Sequence, residues 1–476
     1  MDKDEQALKQ TKSGDFSEWY NEVVQRAGLA DYAPVAGCMV ILPQGYALWE
    51  AVKSWFDTRI KKQGVKNVYF PLFIPERLLK KEAEHFTGFV PEVAFIQETG
   101  EGGEKEKYAL RPSSETIITE EFAKRIRSWR DLPLKYNQWC NIVRWETKAT
   151  KLFLRTREFL WQEGHTLYET QKEAEKEVWD ILHLYKELME TQLAIPVVGG
   201  KKTKKETFAG AEYTTSLEAL MPSGRALQMG TSHYLGTNFS KPFAVRFVDR
   251  NEKEAIPHQN SWGISTRLLG AVVMVHGDDK GMVLPPAIAP TQLVIVPIIF
   301  EQSKAAVLKA AKELETRLQK QFRVVLDDRD QYSSGWKFNQ WELEGVPLRI
   351  EIGPKDLEKN QVVVVRRDTG KKAALSLKDL ETHIAGLLTV IQKSLFEKAK
   401  IWQDEHTVVA KTVEDIKQAI EKLSWAKVNW CGGECETKLE PLAADIRVLP
   451  EGEHATGSCV LCGKKATTVA LVGKAY

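Results

Sequence analysis

Polar and apolar residues alternate most regularly in the middle of the chain, from Asn141 to His165 (NIVRWETKATKLFLRTREFLWQEGH). A period of two predicts two half-buried strands, here joined by a basic loop. In the first strand Ile142, Arg144 and Glu146 share one face, with Val143 and Trp145 behind them. In the second, Phe159, Trp161, Glu163 and His165 share one face. Paired, the strands gather an arginine, carboxylates, aromatic rings and an imidazole over one surface. Such groups are costly to bury, so the pattern predicts a polyanionic ligand with a flat ring.

Around this hairpin the period switches between helix and strand. Helical spacing marks Phe16 to Leu29 and Gln44 to Lys62; short strands are expected at Gly37 to Leu42, Val65 to Phe70, Val93 to Gln97 and Tyr108 to Arg111. Residues 1–14 read as a mobile leader. The glycines of TGEGGEKEK read as a hairpin turn, because no helix start follows at the offset a phosphate loop needs. Ser113 or Ser114 caps a following helix with Glu115 in its first turn, where the helix dipole favours a carboxylate. Thr170 and Glu173 form a capping box. KKTKKE (201–206) is either a solvated loop or a nucleic-acid contact. Strands are expected at Glu212 to Ala219, Ala226 to Met229, Phe243 to Phe247 and Asn260 to Thr266; GTSHYLG (230–236), rich in small polar residues, reads as a connection. An apolar helix starts at Arg267.

After the Pro-rich PPAIAPT, strands and helices alternate in the manner of a small α/β domain. The last segment carries CGGEC (Cys431, Cys435) and CVLC (Cys459, Cys462). Two short-spaced cysteine pairs make a closed tetrahedral thiolate site for structural zinc, or two unlinked thiol pairs. The division is a 1–14 leader, a 15–285 domain with a mostly antiparallel sheet, an α/β domain at 286–398, and a third unit at 399–476.

Composition adds bounds. The 476 residues suit about three domains. The charged N-terminus has no apolar core of a signal peptide, and the longest apolar run, Leu293 to Phe300, is too short to span a bilayer. A cytoplasmic protein is expected, which disfavours disulfides. A net charge of +2 neither requires nor excludes a nucleic-acid partner.

Chemically, the hairpin gains weight from Arg155 and Arg267. Guanidinium forks suit phosphate oxygens, a guanidinium plane over an aromatic face suits adenine, and a carboxylate can accept the adenine amino group. Together they predict an ATP site on an antiparallel sheet. Neither a P-loop nor a dinucleotide-binding fingerprint is present in the sequence.

Pro71, Arg144-Trp-Glu146 with Arg155 to Phe159, and Gly263-Ile-Ser265-Thr-Arg267 resemble the three signature motifs of class II aminoacyl-tRNA synthetases. With EHFTGFVPEVAF, RPSSET, FAGAEYTTSLEALMPSGRALQMGTSH and GVPLRIEIGPKD, the chain is similar to the prolyl-tRNA synthetases of archaeal and eukaryotic-like type. The resemblance implies an α+β fold: an antiparallel sheet flanked by helices, an anticodon-binding α/β domain and a C-terminal zinc-binding α/β domain. It implies ATP with Mg²⁺, L-proline and tRNA(Pro) as substrates, and a homodimer, with no membrane partner. Arg144 would hold the α-phosphate and the proline carboxylate; Glu146 would bind adenine; Phe159 and Arg267 would sandwich it. Arg155, Thr156, Gln228, Thr231 and Ser265 would complete the ATP site. Ser113 and Glu115 match the loop that holds the imino group, with serine where threonine is usual. Trp161, Glu163, His165, Phe208 and His233 would wall the proline pocket. Arg349, Glu351 and Lys355 are anticodon-reading candidates, and Tyr476 matches a terminal tyrosine that folds back toward the active site.

The implied chemistry is in-line attack of the proline carboxylate on the α-phosphorus, then attack of a tRNA ribose hydroxyl on the adenylate. Positioning and charge stabilisation carry it, without a protein nucleophile. No editing domain fits between Thr166 and Pro257, and a small apolar pocket discriminates weakly, so some activation of alanine or cysteine is expected. The competing readings are another class IIa synthetase, a non-catalytic tRNA-binding paralogue, and a zinc-dependent RNA-binding protein.

Overall fold

A computed structural model describes residues 7–85, 93–96, 107–145 and 149–476. The glycine cluster at 100–103 and Glu146 lie outside the described residues. The expected strand near Val93 is Phe95–Ile96, paired with Tyr108–Leu110.

The central hairpin is present as Leu134–Val143 and Glu158–Tyr168, antiparallel, with Ile142 opposite Phe159 and Gln138 opposite Glu163. It lies toward one end of an eleven-stranded sheet. On one side of it is the short strand Lys66–Asn67; on the other follow His258–Ser265, Arg225–Gly236, Tyr213–Leu220 and Val198–Lys201. The long helices Pro43–Lys62 and Gln171–Glu187 and the apolar helix Arg267–His276 cover one face. Phe56 stacks on Tyr185 at 4.9 Å, and both meet Trp262 edge-on, which welds helix to sheet. The Trp262 ring lies flat over Gly164. A Cβ there would sit 2.1 Å from the ring, so the glycine between Glu163 and His165 is required.

The segment GTSHYLG is strand, not connection: Arg225–Gly236 runs unbroken through it. The leader is docked rather than mobile over its described part. Main-chain N–H groups of Lys9 and Gln10 donate to Glu22, and that of Lys12 donates to Asp279 at 2.6 Å. The basic run at 201–206 is not simply solvated. Lys202 is buried and paired with the fully buried Glu218 at 3.1 Å, while Lys205 pairs with Glu440 and Asp445.

The sheet continues into the C-terminal segment. Val198–Lys201 pairs with Asp445–Pro450, and Thr468–Ala475 pairs with that strand, with Trp425–Trp430 and, in parallel, with Arg225 and Ala226. Gly200 permits the junction: a Cβ would meet the Leu449 carbonyl oxygen at 1.9 Å. Residues 291–376 instead build a separate five-stranded sheet, in the order Val324–Leu326, Leu293–Pro297, Leu348–Ile352, Gln361–Arg366, Lys372–Ser376. Helix Leu380–Glu405 then spans the 398/399 division without a break.

Candidate functional site

The pairing of the hairpin strands sets the floor of a cavity of about 180 Å³. Residues opposite one another across an antiparallel pair point the same way. Gln138 and Cys140 therefore join Phe159, Trp161, Glu163 and His165 on one face, which the alternation in the second strand had located. From the neighbouring strands come Gln228, Thr231, His233 and Ser265, with Arg267 at the start of the apolar helix. Phe208 closes one side, its ring 4.8 Å from that of His233.

Ser113 and Glu115 are carried into the cavity by a loop that Arg111 pins. The Arg111 guanidinium, 1% exposed, donates to the Phe70 carbonyl at 2.7 Å, to the Asn141 carbonyl at 2.8 Å and to its side chain at 2.7 Å. Ser114 stands at the N-cap of helix Glu115–Arg125, but its hydroxyl does not cap the helix; it donates to Glu163 at 2.5 Å. Gln138 donates to the same carboxylate at 2.7 Å, and His165 bonds it at 3.1 Å. Burial alone would push the Glu163 carboxyl up. The His165 bond and charge, with the Ser114 and Gln138 bonds, more than reverse this and hold it below its ordinary range. For His165, burial opposes charging, but the Glu163 bond and the charges of Glu163 and Glu115 outweigh it and raise the imidazole. Each group thus favours the charged form of the other at the cavity wall. His233 goes the other way: burial, then repulsion from His165, pulls it down to about 3, so it is neutral and bonds Thr214 at 2.8 Å.

Several buried polar atoms here lack a protein partner: Glu115 Oε2, Trp161 Nε1, His165 Nδ1 and Ser261 Oγ. All four residues line the cavity. Unpaired polar groups cost about 1–3 kcal/mol each when buried, and four in one cavity mark a surface shaped for a polar ligand.

The cavity also holds two guanidiniums, those of Arg144 and Arg267. Arg144 donates to the Pro112 carbonyl at 3.1 Å and lies over the rings of Phe159 and Trp161, 5.7 and 5.5 Å from their centroids. Burial pulls Arg267 down to about 10, with repulsion from Arg144, Arg155 and Arg447 and attraction from Glu218. It stays charged at neutral pH, among guanidiniums that repel one another until a polyanion arrives. Arg155 and Thr156 are not part of the cavity wall. Arg155 donates to the main-chain oxygen of Tyr476 at 3.3 Å, and the Thr156 hydroxyl donates to the Glu158 carbonyl at 2.7 Å. Tyr476 packs against the core beside Arg225–Gly236, its hydroxyl taking the Ser223 hydroxyl at 3.3 Å.

The four C-terminal cysteines converge. Sulfur separations are 3.5 Å for Cys431–Cys435, 3.6 Å for Cys431–Cys462 and 3.8 Å for Cys435–Cys459, and all four lie within 4.8 Å. Four thiolates about 2.3 Å from a central zinc would stand about 3.8 Å apart, so the donor set fits that ion. Of the anticodon candidates, Arg349 is 7% exposed and committed to Glu342 and Glu351 at 3.1 and 3.0 Å over the Phe338 ring. Glu351 also takes Lys372. Lys355 alone of the three is exposed.

Sequence reasoning missed Gln138, Cys140, Ser114 and Ser261. The first two were available from the pairing of the hairpin. Ser261 faces His165 across the next strand pair and carries no local signal.

Three segments match known families. Residues 98–276 match the tRNA synthetase class II core domain (G, H, P, S and T), residues 292–387 the anticodon binding domain, and residues 413–476 the prolyl-tRNA synthetase C-terminal family. Over 466 residues the chain is 52% identical to a proline–tRNA ligase of Clostridium botulinum (strain 657 / Type Ba4), covering 97% of both chains. It is also 52% identical to one of Alkaliphilus oremlandii (strain OhILAs), over 97% of this chain and 96% of that protein, and 51% identical to one of Clostridium novyi (strain NT), over 97% of both.

Proposed function

Because the chain belongs to the proline–tRNA ligase family of class II aminoacyl-tRNA synthetases, we propose that the cavity between Glu115 and Arg267 is where it activates proline. The reaction is ATP-dependent formation of prolyl-adenylate, then transfer of the prolyl group to the 3′ end of tRNA(Pro). The observation that carries the site assignment is the lining of the cavity, which joins orphaned buried acceptors and donors with the guanidiniums of Arg144 and Arg267.

Glu115 Oε2 takes an N–H of the proline secondary ammonium. Glu163 is already satisfied by Ser114, Gln138 and His165; it holds the floor rigid and favours the charged form of His165. Trp161, Phe208 and His233 enclose the pyrrolidine ring. Arg144 bridges the proline carboxylate and the α-phosphate, so nucleophile and electrophile meet over one guanidinium. Phe159 and Arg267 flank adenine, with Glu146 accepting its amino group, while Gln228, Thr231 and Ser265 line the nucleotide. Magnesium, bound with ATP, supplies further neutralisation of the triphosphate charge. Arg155 and Thr156 reach the triphosphate only if they leave the partners they have now. Catalysis is positioning and charge stabilisation, with no covalent enzyme intermediate.

Four further assignments complete the reading. The cysteine cluster holds structural Zn²⁺. The segments 15–285, 286–398 and 399–476 act as catalytic, anticodon-binding and zinc-binding domains, with Lys355 the exposed anticodon candidate. The enzyme works in the cytoplasm; no helix among the described residues is long and apolar enough to cross a membrane. It works as a homodimer through the exposed Phe73, Phe95 and Ile96 of the small three-stranded sheet. The test is ATP–pyrophosphate exchange with each amino acid in turn, on the wild type and on Arg267→Lys. Proline-dependent exchange that is lost with a raised KM for ATP in the variant is the expected result; an unchanged KM for ATP overturns the site assignment.

A further inference from the structure

A second cavity, of about 250 Å³, lies where three parts of the chain meet. Lys12 enters from the N-terminal segment, Leu220 from the catalytic sheet and His276 from the end of helix Arg267–His276. Leu395, Lys398 and Trp402 come from helix Leu380–Glu405. None of its residues belongs to the proline and ATP cavity.

Its walls are apolar apart from two ammonium groups and one imidazole, and among the described residues no acidic side chain lines it. Lys12 Nζ donates to the Gly277 carbonyl at 2.7 Å and the Val275 carbonyl at 3.3 Å, and lies 5.1 Å from the centroid of the Trp19 ring, so two of its three protons are held by hydrogen bonds. The nearby acids are occupied. Asp278 is gripped by Arg367 at 2.6 Å, and Asp279 accepts the main-chain N–H of Lys12. Burial, then repulsion from Lys398, lowers Lys12 to about 8, against the pull of Asp278 and Asp279. Lys398 is exposed at the rim and has no ion-pair or hydrogen-bond partner among the described residues. His276 bonds the Leu193 carbonyl at 2.8 Å and, with burial lowering it to about 4, contributes no charge at neutral pH.

We propose that this cavity binds a small amphipathic carboxylate, its head group between Lys12 and Lys398 and its apolar tail against Leu220, Leu395 and Trp402. Charge complementarity selects the class. An apolar molecule without a head group leaves two like charges facing each other, and a bare inorganic anion leaves the apolar walls unfilled. The occupant would tie helix Leu380–Glu405, which leads from the five-stranded sheet to the C-terminal unit, onto the catalytic sheet. Binding to the folded state alone raises thermal stability by mass action.

The test uses the full chain, with octanoate, octanol and inorganic phosphate as probes, followed by titration calorimetry and thermal unfolding. Octanoate is expected to bind one per chain and to raise the unfolding midpoint. Octanol should bind about tenfold more weakly, since it lacks the charge-assisted bond. Lys398→Glu, a change at an exposed position, should weaken octanoate by at least about tenfold while its own unfolding midpoint stays at the wild-type value. Absence of octanoate binding, equal affinity for octanol, phosphate binding as tight as octanoate, or unaltered binding by the variant each overturns the proposal.

Discussion

Replacing Glu115 by glutamine separates what this residue does for the fold from what it does for proline. Its side chain is 5% exposed and Oε2 has no protein partner, so in the free enzyme it is a buried acceptor left open. Such an atom costs about 1–3 kcal/mol. Against this stands its place in the first turn of helix Glu115–Arg125, where a negative charge is worth about 0.3–1 kcal/mol. Glutamine keeps the shape, removes the charge and leaves one amide group to be satisfied. The change in stability should therefore stay within about 1 kcal/mol of zero, of either sign. The effect on proline has a definite sign. A charge-assisted bond from the secondary ammonium is worth about 1.5–3 kcal/mol, so kcat/KM for proline should fall by about 10- to 150-fold. The KM for ATP should hold, because in the proposed arrangement Glu115 touches the proline ammonium and not the nucleotide. Pyrophosphate exchange over a proline titration, beside urea unfolding, measures both. The reasoning fails if proline kinetics are unmoved, or if stability drops by more than about 3 kcal/mol and ATP binding falls with it.

The His165–Glu163 bridge gives a pH window. The raised His165 contributes stability that is full below its ordinary value of 6.5 and is lost as pH rises through its folded value. The lowered Glu163 contributes stability that is present above 4.5 and is lost as pH falls through its folded value. The stability gap between wild type and Glu163→Gln should be widest between these limits and shrink on both sides, which unfolding curves across pH would show. Metal analysis should find one zinc per chain. Cys459→Ser should lose the metal and also slow proline activation, because the strand Thr468–Ala475 that follows pairs with Ala226, two residues before Gln228; normal exchange kinetics in a zinc-free variant would contradict this. Alanine should support slow exchange at high concentration, since a small pocket rejects a lost methylene or two by only about 1–3 kcal/mol each; undetectable exchange would show a sterner pocket.

Much of the site was legible because strands impose a period of two. Phe159, Trp161, Glu163 and His165 had to share a face, and the structure lines one cavity with them. GTSHYLG misled for a reason tied to function. Thr231 and His233 are small or polar because they face the cavity, so a strand wall built for a ligand has the composition of a loop. The run at 201–206 misled because the partner of Lys202 is Glu218, on the next strand, and Arg447 joins them from more than two hundred residues away. No local pattern reports such a pairing. Only the glycine pair Gly199–Gly200 hinted at it, through the close approach of Leu449.

The continuous sheet also sets an order of assembly. Val198–Lys201 has Tyr213–Leu220 on one side and must wait for Asp445–Pro450 on the other. While the chain is being synthesised, that strand is an open edge, and open edges template pairing with other chains. Contacts so distant in sequence also close slowly. A polypeptide cut short before residue 445 would therefore carry Arg144, Arg155 and Arg267 beside an adhesive edge. The strand Thr468–Ala475 settles against Ala226 only once it has been made, so the sheet beside the cavity is completed by residues far downstream of those that line it.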